Sequence, residues 1–398
     1  MVEIFYDLRS KNFICQANVV DENYKITKKE LFRLNKDEVK GFGIQKIFYE
    51  GYDVDVMNEE AGNFKEEDAS NEFLSRKTSK GSFPSSSRSQ ILMKINKQKS
   101  FFTIGLAYQN DKKSNLKLFL FDSALEKKLE KEIEGKQNEV VFQNLELDKD
   151  LEVIYLTEKR YFEDLINKDK GGKYSYKIRK ITVSDEIALN IEVKNHYVSS
   201  LRTFNHDGKL FSIGFYSDEK DFKYGGICYF EVDLNKYELI KSNYNLFDEQ
   251  FILDKYGKLK DKEYKNISLK QVFFNDKNEI IIDAEEIYLN KSYNGIYSTS
   301  NLGGGSIGGF QNGISMPNYH YDDIIAIKLS SSGDLLYARN INKKQGIDGE
   351  DGAAYISYSS FLLDNKNVFF INSKDKLKKL SMIESNLDKL EKTDQTLM

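Results

Sequence analysis

Short apolar runs separated by clusters of Ser, Asn, Asp, Gly and Lys recur from one end of the chain to the other. Runs of that length bounded by turn residues predict buried strands rather than helices. The stretch from Tyr319 to Asn372 shows the unit most plainly. Ile324 to Leu329 reads as a strand behind the acidic pair Asp322 and Asp323, and Leu335 to Ile341 as its return. Ser330, Ser331, Ser332 and Gly333 supply the turn between them, because Ser bonds nearby backbone and Gly takes positive φ without steric cost. Tyr358 to Leu363 and Val368 to Ile371 flank Asp364, Asn365, Lys366 and Asn367 as a second hairpin.

One pattern repeats along the chain: an apolar strand, a turn with Asp, Ser, Asn or Gly, then a strand rich in Lys, Glu, Leu and Ile. It begins at Phe13, Leu116, Tyr176, Ile227 and Ile324. Four of the copies follow an earlier hairpin, starting at Ile91, Val140, Ser199 and Gln271. Each unit is then a four-stranded antiparallel meander with two apolar faces, and stacking the units radially is what covers both. The predicted fold is all-β: a β-propeller of about five to six four-stranded antiparallel blades, the first and last incomplete, forming a single domain over 1–398.

Three stretches break the pattern. Residues 53–89 are polar and weakly periodic, 248–265 are charged and have room for a short helix, and 290–319 form a glycine-rich excursion between two strands. Long insertions of this kind are where a ligand is expected. DSALEKKLEKEIEG from Asp122 scores as a helix on propensity, but its place in the repeat assigns it a strand. After Asn372, Leu377, Leu380, Ile383, Leu387 and Leu390 fall at helical spacing, giving a short helix or a distorted outer hairpin.

Composition supports strands: 25 Tyr and 27 Phe with no Trp favour pleated, half-buried surfaces. Pro84 and Pro317, the two prolines, both fall in segments read as loops. A net charge of -4 with mixed signs gives a solvated surface without the basic face that nucleic acid requires. No apolar run has the length of a membrane span, and the N-terminal residues lack the basic and apolar blocks of a signal peptide. Cys15 and Cys228 each sit in an apolar run, as buried free thiols.

No residue cluster commits to a chemistry. Gly303 to Gly308 matches G-x-G-x-x-G but lacks the flanking strand and helix that would aim free amides at a phosphate. Asp348 to Gly352 (DGEDG) falls short of a calcium loop. Asp322 and Asp323 are adjacent on a strand, so alternation sends them to opposite faces and denies a carboxylate pair. His196, His206 and His320 show no zinc spacing. Ser217, closing GFYS from Gly214, lacks a nucleophile elbow. The reading therefore assigns no catalytic, cofactor-binding or metal-binding residue and no cofactor.

YHYDDIIAIKLSSSGDLLYARNINKKQ, GFYSDEKDFKYGGICYFEVD, and the pairing of SFFTIGLAYQ with LKLFLFDSALEKKLEKEI resemble an uncharacterised family of exported, propeller-like proteins from Gram-negative bacteria. The resemblance spans about Phe13 to Asn372 and implies a propeller exported to the periplasm or cell envelope. Both ends depart from the family pattern, as in a truncated member. The expected function is non-enzymatic binding of a protein or glycan by a monomer, without nucleic acid or a transmembrane segment. The alternatives are a propeller hydrolase with a central-channel site and a truncated protein without retained function.

Overall fold

The computed structural model describes residues 2–7, 9–20, 22–39, 90–109, 113–136, 140–148, 152–162, 172–193, 195–219, 223–259, 264–293, 315–348, 357–363, 365–372, 380–386 and 389–397. The chain divides into two compact units, Met1–Leu246 and Phe247–Met398.

Among the described residues the first unit contains four antiparallel sheets of three or more strands. β1 (Val2–Asp7), β2 (Asn12–Val20) and β3 (Ile26–Asn35) form the first, in that order. β4 (Gln90–Ile95), β5 (Phe101–Gln109), β6 (Lys113–Asp122) and β7 (Lys127–Lys136) form the second. β8 (Val140–Leu147), β9 (Ile154–Tyr161), β10 (Tyr174–Ile181) and β11 (Glu186–Ile191) form the third. In the fourth, β12 (Tyr197–Val198) and β13 (Arg202–His206) both pair with β14 (Lys209–Ser217). β15 (Lys223–Tyr224) lies in the connection to β16 (Gly226–Asp233) and β17 (Glu238–Leu246), which complete that sheet.

Alternation along single strands ties these sheets together. In β6, Leu116, Leu118 and Leu120 join the core shared with the third sheet, while Phe119 and Phe121 join the core shared with the first. All five are fully buried, each worth about 1.5–3 kcal/mol of transfer free energy. Phe119 stacks on Phe32 of β3 at 4.1 Å between ring centroids. A third core joins Tyr155, Tyr176 and Ile178 of the third sheet to Leu210, Cys228 and Phe230 of the fourth. Consecutive meanders that cover one another's faces in series are the blades of a β-propeller.

Polar groups cross between the third and fourth sheets as well. Asn144 of β8 exchanges hydrogen bonds with the backbone of Thr203 in β13, donating to its carbonyl at 3.0 Å and accepting from its amide at 3.1 Å. Between β12 and β13 the strand is interrupted, and side chains replace the ladder. Tyr176 donates to Val198 O at 2.6 Å, Lys159 to Ser199 O at 2.6 Å, and Leu201 N donates to Gln143 Oε1 at 2.8 Å. Ser200 O then lies only 2.3 Å from where a Cβ on Gly214 would sit, so that strand position admits only glycine.

In the second unit α1 (Glu249–Tyr256) precedes β18 (Tyr264–Lys265). β19 (Ile267–Phe274), β20 (Ile280–Tyr293), β21 (Ser315–Leu329) and β22 (Leu335–Ile341) follow as one sheet, with β23 (Gln345–Asp348) also on β21. β24 (Tyr358–Leu363), β25 (Lys366–Asn372), β26 (Leu380–Asn386) and β27 (Lys389–Leu397) form the last sheet. Ile324, Ala326 and Ile341 pack with Phe369 and Ile371 between the two sheets.

The all-β reading holds, with six sheets of three or more strands among the described residues. The first blade carries three strands, as expected. The last carries four instead of a partial set, because residues 380–397 pair onto β25 as a hairpin and the open edge of β25 outweighs the helical spacing of the leucines. The helix-scoring segment after Asp122 is strand β7: Leu129 and Ile133 are buried, and Lys131 between them reaches Glu186 of β11 at 2.5 Å. The helix foreseen within 248–265 is α1. The excursion foreseen at 290–319 is partly ladder, since β20 and β21 pair out to Tyr293 and Ser315. Pro317 is therefore in a strand and not a loop; it faces Lys291 of β20 and lies one residue beyond the Asn318–Tyr321 segment that pairs with β23 on the other edge. The insertion 53–89 lies outside the described residues.

Candidate functional site

The richest arrangement of polar side chains lies at the root of the β20–β21 hairpin. The two strands pair in register except at one point: Glu285 opposes Ile324, whereas Ile287 opposes Tyr321. Glu286 thus faces two residues, Asp322 and Asp323, and the extra residue makes a β-bulge that brings consecutive side chains to one face. The bulge corrects the expectation drawn from simple alternation. Asp322 accepts a hydrogen bond from Tyr288 at 2.8 Å, and Asp323 sits 3.0 Å from the Lys255 ammonium, which also pairs with Glu286 at 2.5 Å. His320, opposite Tyr288 in the ladder, stacks on its ring at 4.5 Å and 6°.

Lys255 comes from α1, whose placement is dictated locally. Asp248 caps the helix by accepting from Phe251 N at 3.0 Å, and Gly257 closes it at φ 66°. Phe251 stacks on Tyr264 at 4.3 Å, and the Tyr264 hydroxyl donates to Phe251 O at 2.7 Å. Asp254 receives a two-pronged bond from Arg339 of β22, at 2.6 and 3.0 Å, which clamps the helix over the sheet. Asn340 of the same strand donates to Asp323 at 3.1 Å.

Glu286 and Asp323 share the Lys255 ammonium, and Asp322 lies beside them on the Tyr288 hydroxyl, so three carboxylates here face one paired cation. Burial raises the Glu286 carboxyl above its ordinary value against the opposing pull of Lys255. Burial also disfavours the Lys255 ammonium, but Glu286 and Asp323 outweigh it and hold its pKa above that of a free lysine. Burial, then the bond to Asp322, pushes the Tyr288 phenol up, so it remains a donor. A half-buried tyrosine and imidazole beside fixed carboxylates suit a ligand that offers hydrogen-bond donors or positive charge together with a flat apolar face.

The opposite face of the same strands is a structural network. Glu285, fully buried, holds Lys343 at 2.6 Å and Lys270 at 3.6 Å and accepts from the Ser357 hydroxyl. Lys343 also donates to Tyr321 O at 2.6 Å and Gln345 Oε1 at 3.0 Å. Burial lowers its pKa despite Glu285.

The other residues singled out by sequence are dispersed. His196 contacts Asp218 at 2.5 Å and stacks on Tyr244 at 3.9 Å, in the first unit. His206 ends β13, opposite Lys209. Cys15 and Cys228 are buried free thiols whose pKa burial raises. Ser217 ends β14 and accepts from Glu219 N at 3.0 Å. Gly303 to Gly308 lie outside the described residues, as does the DGEDG stretch beyond Asp348, the end of β23. Among the described residues no group of three or more His, Cys, Asp or Glu is disposed to hold a metal ion, and no helix is long and apolar enough to cross a membrane. Sequence reasoning missed Lys255, Glu286 and Tyr288; the one available signal was an acidic doublet, Glu285 and Glu286, in a strand preceding a second doublet, Asp322 and Asp323.

No family model matches the chain, and no curated protein matches it significantly. Among solved structures it is similar to Synechocystis apocarotenoid oxygenase, at 8% identity and a TM-score of 0.36 over 77% of this chain and 61% of that one. A structure from a study of two prolyl endopeptidases gives 10% identity and a TM-score of 0.37 over 98% of this chain and 40% of that one. The β-propeller domain of the Trilobed protease from Pyrococcus furiosus gives 9% and 0.33 over 77% and 71%. The chain spans about six-tenths of the length of the oxygenase and four-tenths of that of the endopeptidase.

Proposed function

We propose that the chain is a propeller-type binding protein that engages a protein or glycan at the root of the β20–β21 hairpin. The observation that carries this reading is the bulge, which gathers Glu286, Asp322 and Asp323 on one face beside the stacked pair Tyr288 and His320. The donors such a face selects are the ammonium or guanidinium groups of a basic peptide, or the hydroxyl and amino groups of a sugar whose ring lies on an aromatic. The family resemblance would place that encounter in the bacterial envelope.

The test is an array of glycans and basic peptides probed with the whole chain, followed by titration of the best ligand. Asp322→Asn removes one charge and keeps the shape, so affinity should fall about 10- to 100-fold, the loss of a charged hydrogen bond of roughly 1.5–3 kcal/mol. Unchanged affinity in a folded Asp322→Asn protein would move the site elsewhere. Turnover of the captured ligand would favour the hydrolase instead.

A further inference from the structure

The contact between the last two sheets is unusual in what it buries. Besides its apolar core, four polar contacts cross it: Ser357 with Glu285, Tyr358 with Ala284 O, Ser360 with Gln271, and Asn367 with Asp283. Three of these involve groups that water would serve equally well, or a glutamate already held by lysines. Asp283 differs. It is fully buried near the start of β20, Asn367 Nδ2 donates to its Oδ1, and its Oδ2 accepts no hydrogen bond among the described residues.

The charged groups nearest it on the elements packed around it are Glu285 on β20, Lys270 on β19, Lys328 on β21, Lys343 beyond β22, and Arg339 on β22, which is in register with Asp283 through Ala326 but is paired with Asp254 at 2.6 Å; Glu286, Asp322 and Asp323 lie at the bulge beside Lys255. Lys270 and Lys343 are committed to Glu285, and Lys328 to Glu279 at 2.7 Å. β24 and β25 bring Ser360, Asn367 and apolar side chains to this contact; β24 has no charged residue, and Lys366, the one charge of β25, is the strand neighbour of Asn367 and so alternates to the other face. Among the described residues a carboxylate so enclosed has no counter-ion and half a hydrogen-bond shell, a cost that protonation removes.

We infer that docking of the last sheet, Tyr358–Asn372 in particular, onto its neighbour is proton-linked, with Asp283 as the sensor: the docked state holds it as the neutral acid, and ionisation loosens the sheet.

Burial pushes Asp283 up to about 7, with nearby Ser360 and Asn367 pulling the other way. In an opened state the carboxyl returns to its ordinary value of 3.8, so the docked form binds the proton and opening releases it. The sign follows: opening becomes easier as pH rises from about 4 to about 7, by up to about tenfold per pH unit, and levels off above the docked-state value. Acidification tightens the contact.

Amide hydrogen exchange of the whole chain at pH 5, 6, 7 and 8.5, corrected for intrinsic rates, reads the opening of β24 and β25 directly. The expected result is a loss of protection there approaching tenfold per unit between pH 5 and 6, flattening above about 7, with β9 and β10 unchanged. Asp283→Asn keeps the acceptor for Asn367 and should give a pH-independent profile at the protected level. A flat wild-type profile overturns the inference, and so does a pH response that survives Asp283→Asn. If that variant fails to fold, the wild-type series still decides, joined by the carboxyl carbon shift of Asp283, which must titrate near neutrality in the docked protein.

Discussion

Lys255 sits 88% out of solvent with Glu286 and Asp323 within 2.5 and 3.0 Å, and it is the cation on which a net acidic face depends. Replacing it by Met keeps the stem's packing but leaves the carboxylates uncompensated, and breaking such a buried arrangement costs about 3–5 kcal/mol. Urea melts of Lys255→Met should show that loss at pH 7 and a smaller one at pH 4, where Glu286, whose carboxyl burial raises above its ordinary value, takes up a proton. The folded pKa of Lys255 lies above the ordinary 10.5, so its stabilisation is complete below that value and is lost as pH rises through the folded one. An equal loss at both pH values would mean that packing, and not charge, is what Lys255 supplies. None of this could be read from a strand-by-strand pattern. Alternation put Asp322 and Asp323 on opposite faces, and only the cross-strand register, with two residues facing Glu286, reverses that.

Individual elements were legible where turn chemistry and apolar runs agree, and ambiguous where two periods coincide. In β7, Leu129 and Ile133 are four apart, a spacing that satisfies a helix and a strand alike. The neighbouring strand settles the matter, because Lys113 to Lys136 pair along the length of β6 and Lys131 finds Glu186 on the next sheet. A peptide of Asp122 to Gly135 alone should therefore gain helical circular dichroism in trifluoroethanol, while the intact protein keeps strand there. A peptide that stays coil at every alcohol concentration would remove propensity as the source of the ambiguity. The tail after Asn372 shows the same conflict. Its leucines keep helical spacing, yet the ladder to β25 forms because an open strand edge offers a full row of backbone partners.

At the scale of the molecule, the repeat announced stacked meanders, and apolar cores shared between successive sheets carry that out. What composition could not announce is how polar the contact between the last two sheets is, since Asp283, Glu285, Ser360 and Asn367 would each read as surface residues in isolation. In a serial stack a lesion acts first on the sheets that share it. Phe119→Ala should cost about 3–5 kcal/mol and loosen the first and second sheets together, measured by denaturant melts and by exchange protection in β2, β3 and β6. Uniform loss of protection across the first unit would show that it unfolds as a single block.

The double duty of β6 bears on how this chain tolerates change. Leu118 and Phe119 are joined by a peptide bond yet answer to different partners, one to the third sheet and one to the first. Drift at Phe119 is checked by Phe32, far away along the gene, while Leu118 beside it is free to co-vary with an unrelated set. Descendants of this sequence should thus show interleaved, mutually independent lineages of compensation at odd and even positions of a single strand.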